Sequence, residues 1–151
     1  MTTRVIRSAD EVPALGRFLL ARGKFPVTVT IANGASRSSQ ANRLSQRWYS
    51  DISRQLGDQT HEEVRAYCKL HFGVPIMRAG NEAFRASYDA TMKPISYETK
   101  LEAMRVLDIP VTRLMTPKQM SAYMDEMQRY WLGNGFRLTD PEAMKYEEEL
   151  K

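Results

Sequence analysis

Apolar positions along the 151-residue chain fall into blocks of different period. Val12, Leu15, Phe18 and Leu19 recur at spacings of three and four, the signature of an amphipathic helix. Ser8-Ala-Asp-Glu11 opens it with the form of a capping box, and Gly23 is a natural stop. The period then drops to two over Pro26-Val-Thr-Val-Thr-Ile31, which predicts a strand ended by the turn pair Asn33-Gly34. Arg4–Arg7 is β-branched enough for a short edge strand. Helical period returns from about Ser38 to Leu56, and again from Thr60-His-Glu-Glu63, a second capping box, to a stop at Gly73. Residues 74–94 read as an irregular middle with a short strand around Phe84–Tyr88. Tyr97–Leu107 is helical by its Leu101, Met104 and Leu107 spacing. Thr116-Pro-Lys-Gln119 caps another helix that runs to about Leu132 and stops at Gly133-Asn-Gly135. Phe136–Leu138 reads as a short strand, and Asp140-Pro-Glu142 caps a last acidic helix. The expected class is α+β: mostly helical, with a small β element near the N-terminus. The length suits one domain over residues 1–151, or a compact pair of lobes at about 1–95 and 96–151.

Composition narrows the function classes. No apolar run approaches the roughly 18–20 residues of a membrane helix, and the N-terminus lacks the apolar stretch of a secretory signal. The lone Cys68 cannot make an internal disulfide, so a reducing, cytoplasmic setting is expected, without a membrane partner. Net charge is +4, and its distribution says more than its size. Residues 1–59 hold nine Lys and Arg against four acids, whereas residues 116–151 hold five against seven. A polyanion would therefore meet the N-terminal third.

The helix after the predicted strand concentrates that charge. On a wheel of about 100° per residue, Arg43, Arg47 and Arg54 share an arc of some 40°, with Ser50 and Gln40 beside them. Leu44, Trp48, Ile52 and Leu56 occupy the opposite arc, which should pack on a core. Acids four residues before the arginines are missing; Asp51 is the nearby acid able to answer Arg47 or Arg54. Guanidinium suits phosphate, since its planar fork donates two parallel hydrogen bonds and keeps its charge when partly desolvated. The stripe is thus expected to be unneutralised and to follow a phosphate backbone over roughly 16 Å.

Chemistry of other kinds is thin. His61, Cys68 and His71 are too few for a closed zinc site, and no phosphate loop, metalloprotease or serine-hydrolase motif occurs. Neither a metal nor a cofactor is expected. A broad stripe of Met115, Met120, Met124 and Met127 with Tyr123, Tyr130 and Trp131 fits either a core filler or a subunit interface.

Arg37-Ser-Ser-Gln-Ala-Asn42-Arg43-Leu44, following a Val-Thr-Val-Thr-Ile segment, resembles the phage NinB family, the Orf recombination mediators of lambdoid phages. The likeness continues through Asp51-Ile-Ser-Arg54-Gln55, Glu62-Glu63, Cys68-Lys69, Phe72, Pro110-Val-Thr-Arg113-Leu-Met-Thr116, Gln119-Met120 and Gly135 to Pro141, about residues 26–145. The family's Gln before Asn is Ala41 here, and its nearby tryptophan has Gln46 in its place, with Trp48 two residues later. The resemblance implies a homodimer that binds DNA, prefers single strands over duplex, and helps load a recombinase onto strands coated by the host single-strand-binding protein, without enzymatic activity and in the cytoplasm of a bacterial host. The matched positions are Arg37, Ser38, Asn42 and Arg43; with Arg47 and Arg54 from the stripe they make the candidate nucleic-acid site. Two rival readings are a metal-dependent nuclease and a protein–protein adaptor that does not bind DNA.

Overall fold

The chain divides at residues 35/36 into two units. The computed structural model describes residues 4–31 and 36–150, apart from the side chains of residues 36–39 and Glu148. The predicted turn at Asn33-Gly34 lies outside the described residues.

The described part of the first unit is a 3-10 turn and one helix with irregular flanks. Helix α1 spans Val12–Arg22 after a 3-10 turn at Ala9–Glu11. Ser8 makes no side-chain cap; instead Glu11 turns back and accepts the Arg7 N–H at 3.0 Å. Gly23 closes the helix in the left-handed region at φ 69°, as its position suggested. Leu15, Phe18 and Leu19 are half-buried, and the Arg4 guanidinium lies over the Phe18 ring at 4.5 Å.

The expected β element is absent: among the described residues there is no strand, and the α+β class is corrected to all-helical. Arg4–Arg7 and Pro26–Ile31 carry no ladder. Alternation favours an extended backbone, but a strand exists only where a second one answers its N–H and C=O groups. Pro26–Ile31 finds none among the described residues, and Ile31 stays 88% exposed.

The second unit holds seven helices among its described residues: α2 Ser36–Leu56, α3 His61–Cys68, α4 Val74–Gly80, α5 Glu82–Thr91, α6 Tyr97–Val106, α7 Pro117–Gly133 and α8 Pro141–Glu149. The capping boxes at Thr60/Glu63 and Thr116/Gln119 both form, with side chain and backbone bonded reciprocally. The irregular middle is helical instead. Asn81 caps α5 by accepting the Phe84 N–H at 2.9 Å, so the predicted strand at Phe84–Tyr88 lies inside that helix.

Gly73 does not stop a helix either. A π turn at Lys69–Gly73 carries α3 directly into α4. The glycine is there for clearance: a Cβ on it would stand 2.7 Å from Val111 Cγ1, and Val111 is itself buried. Gly73→Ala is expected to cost about 1–3 kcal/mol through overpacking, read as a lowered thermal midpoint with unchanged helicity.

Two cores share α3. Val64 and Cys68 face a cluster with Trp48, Tyr49 and Ile52 of α2 and Met120, Tyr123, Met124, Met127 and Trp131 of α7. Ala66 faces a second cluster with Val74, Met77, Tyr88, Met104 and Val111. The methionine stripe is therefore core, except that Met115 is half-buried and Tyr130 turns outward. No described helix is long and apolar enough to cross a membrane.

Candidate nucleic-acid interface

Helix α2 places its two arcs as the wheel requires. Trp48, Tyr49 and Ile52 are buried, while Asn42, Arg43 and Arg54 are exposed and Arg47 is half-buried. The arginine stripe is not unneutralised, however. Arg47 Nη1 meets Glu147 Oε2 of α8 at 3.0 Å, and its Nε lies 3.5 Å from Asp51 Oδ1. Arg54 Nη2 donates to the same Asp51 oxygen at 2.7 Å. The Glu147 hydrogen bond raises the Arg47 guanidinium above its already high range, against a smaller cost of burial. The sequence pairing Arg47–Asp51 and Asp51–Arg54 at spacings of four and three contained part of this answer. Glu147 comes from a hundred residues away, and local spacing carries no sign of it. The side chains of Arg37 and Ser38 lie outside the described residues.

What the stripe borders is a clamped extended segment. Asp51 is buried, yet four donors surround it: besides the two arginines, the Thr139 N–H and hydroxyl reach Oδ2 at 2.8 and 2.7 Å. Such saturation is the condition for keeping a carboxylate in a core. Trp48 Nε1 donates to the Thr139 carbonyl at 2.8 Å. Gln55 completes the clamp: its Nε2 donates to the Arg137 carbonyl at 2.7 Å and its Oε1 accepts the Arg137 N–H at 2.8 Å. Side chains 48, 51 and 55, one face of α2, thus satisfy the backbone of residues 137–139 as a neighbouring strand would. This explains why Phe136–Leu138 read as a strand and is extended without a ladder. Trp48 is committed to this clamp and does not present its ring to a ligand.

Two clefts are lined in part by α2. One is lined by Gln40, Ala41, Arg43, Leu44, Pro141, Met144 and Lys145. The other is lined by Asp51, Arg54, Gln55, Arg137, Leu138 and Thr139. Among these lining residues four cations stand against one carboxylate, Asp51, whose Oδ2 is taken by Thr139 and whose Oδ1 holds Arg54. Arg137 and Lys145 are members that the α2 wheel alone could not supply, since they come from the acidic C-terminal third.

The residues considered for metal or nucleophilic chemistry are occupied otherwise. Burial pushes the Cys68 thiol up to about 12, which disfavours the thiolate that either role needs. His71 Nε2 is engaged by the Tyr97 hydroxyl at 2.7 Å, and the His61 ring meets Tyr49 edge-on. No group of three or more His, Cys, Asp or Glu able to hold a metal occurs among the described residues.

Compared with models of protein families, with curated proteins and with solved structures, the chain gives no match.

Proposed function

We propose that the chain binds DNA, single strands in preference to duplex, through the α2 face and the segment clamped to it, and does no chemistry of its own. The observation that carries this reading is the gathering of Arg43, Arg54, Arg137 and Lys145 in two clefts, each lined by α2 and by the chain after α7. From Arg43 to Arg54 is eleven residues, or about 16 Å of helix rise, long enough to follow several phosphates. Arg47, between Arg43 and Arg54 along α2, is shared with Glu147, so a phosphate there competes with a half-exposed carboxylate rather than filling an empty place. That exchange costs little, because an exposed ion pair is worth about 0–1 kcal/mol.

The likeness of Arg37-Ser-Ser-Gln-Ala-Asn42-Arg43 to the NinB motif directs the reading further, to a homodimeric recombination mediator in the cytoplasm of a bacterial host. It would assist recombinase loading on strands coated by the host's single-strand-binding protein. Asn42, exposed beside Arg43, is then placed to contact backbone or a base edge.

A salt titration tests the reading. Each phosphate contact on a single strand contributes about 0.7 to the slope of log affinity against log salt. Arg43→Ala and Arg54→Ala together are expected to lower the slope by about 1.4. Thermal stability should fall by no more than about 1 kcal/mol, because both side chains are exposed and Asp51 keeps Arg47 and the two Thr139 donors. An unchanged slope in the double variant removes the site.

A further inference from the structure

The DNA reading accounts for the charge of α2 but not for a second surface, built of rings. Tyr67 of α3 stacks on His71 of the π turn, centroids 4.0 Å apart and planes 24° from parallel. His71 meets Tyr97, at the start of α6, edge-on at 5.6 Å. On the other side Tyr67 and Phe72 reach Tyr130 of α7 at 6.2 and 5.2 Å. Two hydroxyl contacts lock the rings in place: Tyr67 to Tyr130 at 2.9 Å, and Tyr97 to His71 Nε2 at 2.7 Å. The patch is not core. Tyr97 is 45% and Tyr130 38% exposed, and His71 is exposed as well.

The rings lead toward the basic clefts. Tyr130 contacts Trp131 at 5.0 Å, Trp131 contacts Phe136 at 4.9 Å, and the next residue, Arg137, is held by Gln55 and lines the cleft of Arg54. That link passes beneath the surface, since Trp131 is buried and Phe136 half-buried, but it fixes the exposed rings close to the clefts. Exposed rings near a cationic groove are the arrangement that binds single strands without reading sequence: cations track the phosphates, while rings take the bases, each of which has a π face. Rings already fixed by neighbours lose little freedom when a base lands on them.

We infer that the Tyr67–His71–Tyr97–Tyr130 patch is a stacking surface for unpaired bases of the strand whose phosphates the α2 clefts hold. This rests on the proposed DNA binding and adds what that binding alone does not require: affinity that depends on bases as well as on charge. It also supplies a physical source for single-strand preference, because bases in a duplex are stacked and paired already.

The test compares oligothymidylate with an abasic strand of equal length and equal phosphate number. The full chain is expected to bind the thymidylate strand about 10- to 100-fold more tightly. In Tyr97→Ala/Tyr130→Ala most of that ratio disappears while the salt slope on either strand stays as it was. Tyr97→Phe/Tyr130→Phe keeps the rings, and should keep the ratio. The inference is overturned if the alanine variant retains the full ratio, or if the native chain binds both strands equally with a normal salt slope. Binding to neither strand would instead remove the DNA reading itself.

Discussion

Asp108→Asn should lower the stability of the second unit by about 2–3 kcal/mol, or about 10 °C in thermal midpoint for a unit of this size. Lys69, on the π turn, is 1% exposed, and its ammonium donates to Asp108 Oδ1 at 2.9 Å. Arg65 donates to the same oxygen at 2.6 Å, and Arg113 approaches the Asp108 carbonyl at 3.5 Å. One carboxylate thus answers two cations, one of them buried, and the backbone carbonyl of the same residue meets a third. Removing one partner of a wholly buried pair costs about 3–5 kcal/mol; the figure is lower here because Asp108 is half exposed and water screens part of the loss. Asparagine isolates the charge, since Asp108 sits in the left-handed region at φ 50° and asparagine tolerates that region. Asp108→Ala adds about 1 kcal/mol for a Cβ residue without a local polar side chain there. Lys69→Met is expected to be near neutral instead. Burial lowers the Lys69 pKa more than the Asp108 hydrogen bond raises it, so the pair recovers only part of the cost of desolvating the ammonium. Acid titration gives an independent check. The Lys69 and Arg65 hydrogen bonds hold the Asp108 carboxyl down at about 2, below the unfolded value of about 3.9. A depressed carboxyl stabilises above its unfolded pKa and ceases to do so as pH falls through its folded one. The native chain should therefore lose this contribution between about pH 4 and pH 2, and Asp108→Asn should be flat in that window apart from the other carboxylates. An equal acid slope in the two proteins refutes the assignment.

The sequence held this cluster only in fragments. Arg65 and Lys69 are four apart on one helix, but Asp108 lies beyond α6, and no period links it to them. Local signals mostly held where the physics is local: the caps at Thr60 and Thr116 form as boxes though the one at Ser8 does not, Gly23 closes α1, and the apolar arc of α2 is the buried one. They misled where a segment depends on a partner. Pro26–Ile31 has the alternation of a strand and no ladder. Gly73 looks like a stop and is a clearance point against Val111. The same division runs through the candidate interface. Arg43, Arg47 and Arg54 were legible as one arc; Glu147, Arg137 and Lys145 join it only by tertiary folding. The ring surface was half legible, since Tyr67 and His71 sit at helical spacing, but Tyr130 read as part of the methionine stripe rather than as its outward edge.

Asp51→Ala is expected to loosen the C-terminal segment far more than the rest of the unit. Its carboxylate is the acceptor for both the N–H and the hydroxyl of Thr139. Arg54 is itself exposed and is left to water, and Arg47 keeps Glu147, so the cost falls on Thr139. A buried donor left without an acceptor costs about 1–3 kcal/mol; Thr139 is half-buried, so its two donors together fall in that range rather than at twice it. Trp48, Gln55 and the half-buried Phe136 and Leu138 still hold the segment, so it opens locally instead of unfolding the α2–α3–α7 core. Amide exchange at Arg137 and Thr139 should speed by roughly 30- to 150-fold, equivalent to about 2–3 kcal/mol of opening free energy, while the amides of α3 and α7 exchange as before. DNA binding separates two contributions in this variant. Loss of Asp51 adds one positive charge to the face, a gain of at most about 1 kcal/mol at low salt. Loosening the segment withdraws Arg137 and Lys145 from fixed positions, which removes up to two phosphate contacts and about 1.4 from the salt slope. The second effect is the larger, so affinity for single strands should fall although the protein has become more basic. Tighter binding with an undiminished slope would show that Arg137 and Lys145 take no part, and would confine the interface to α2.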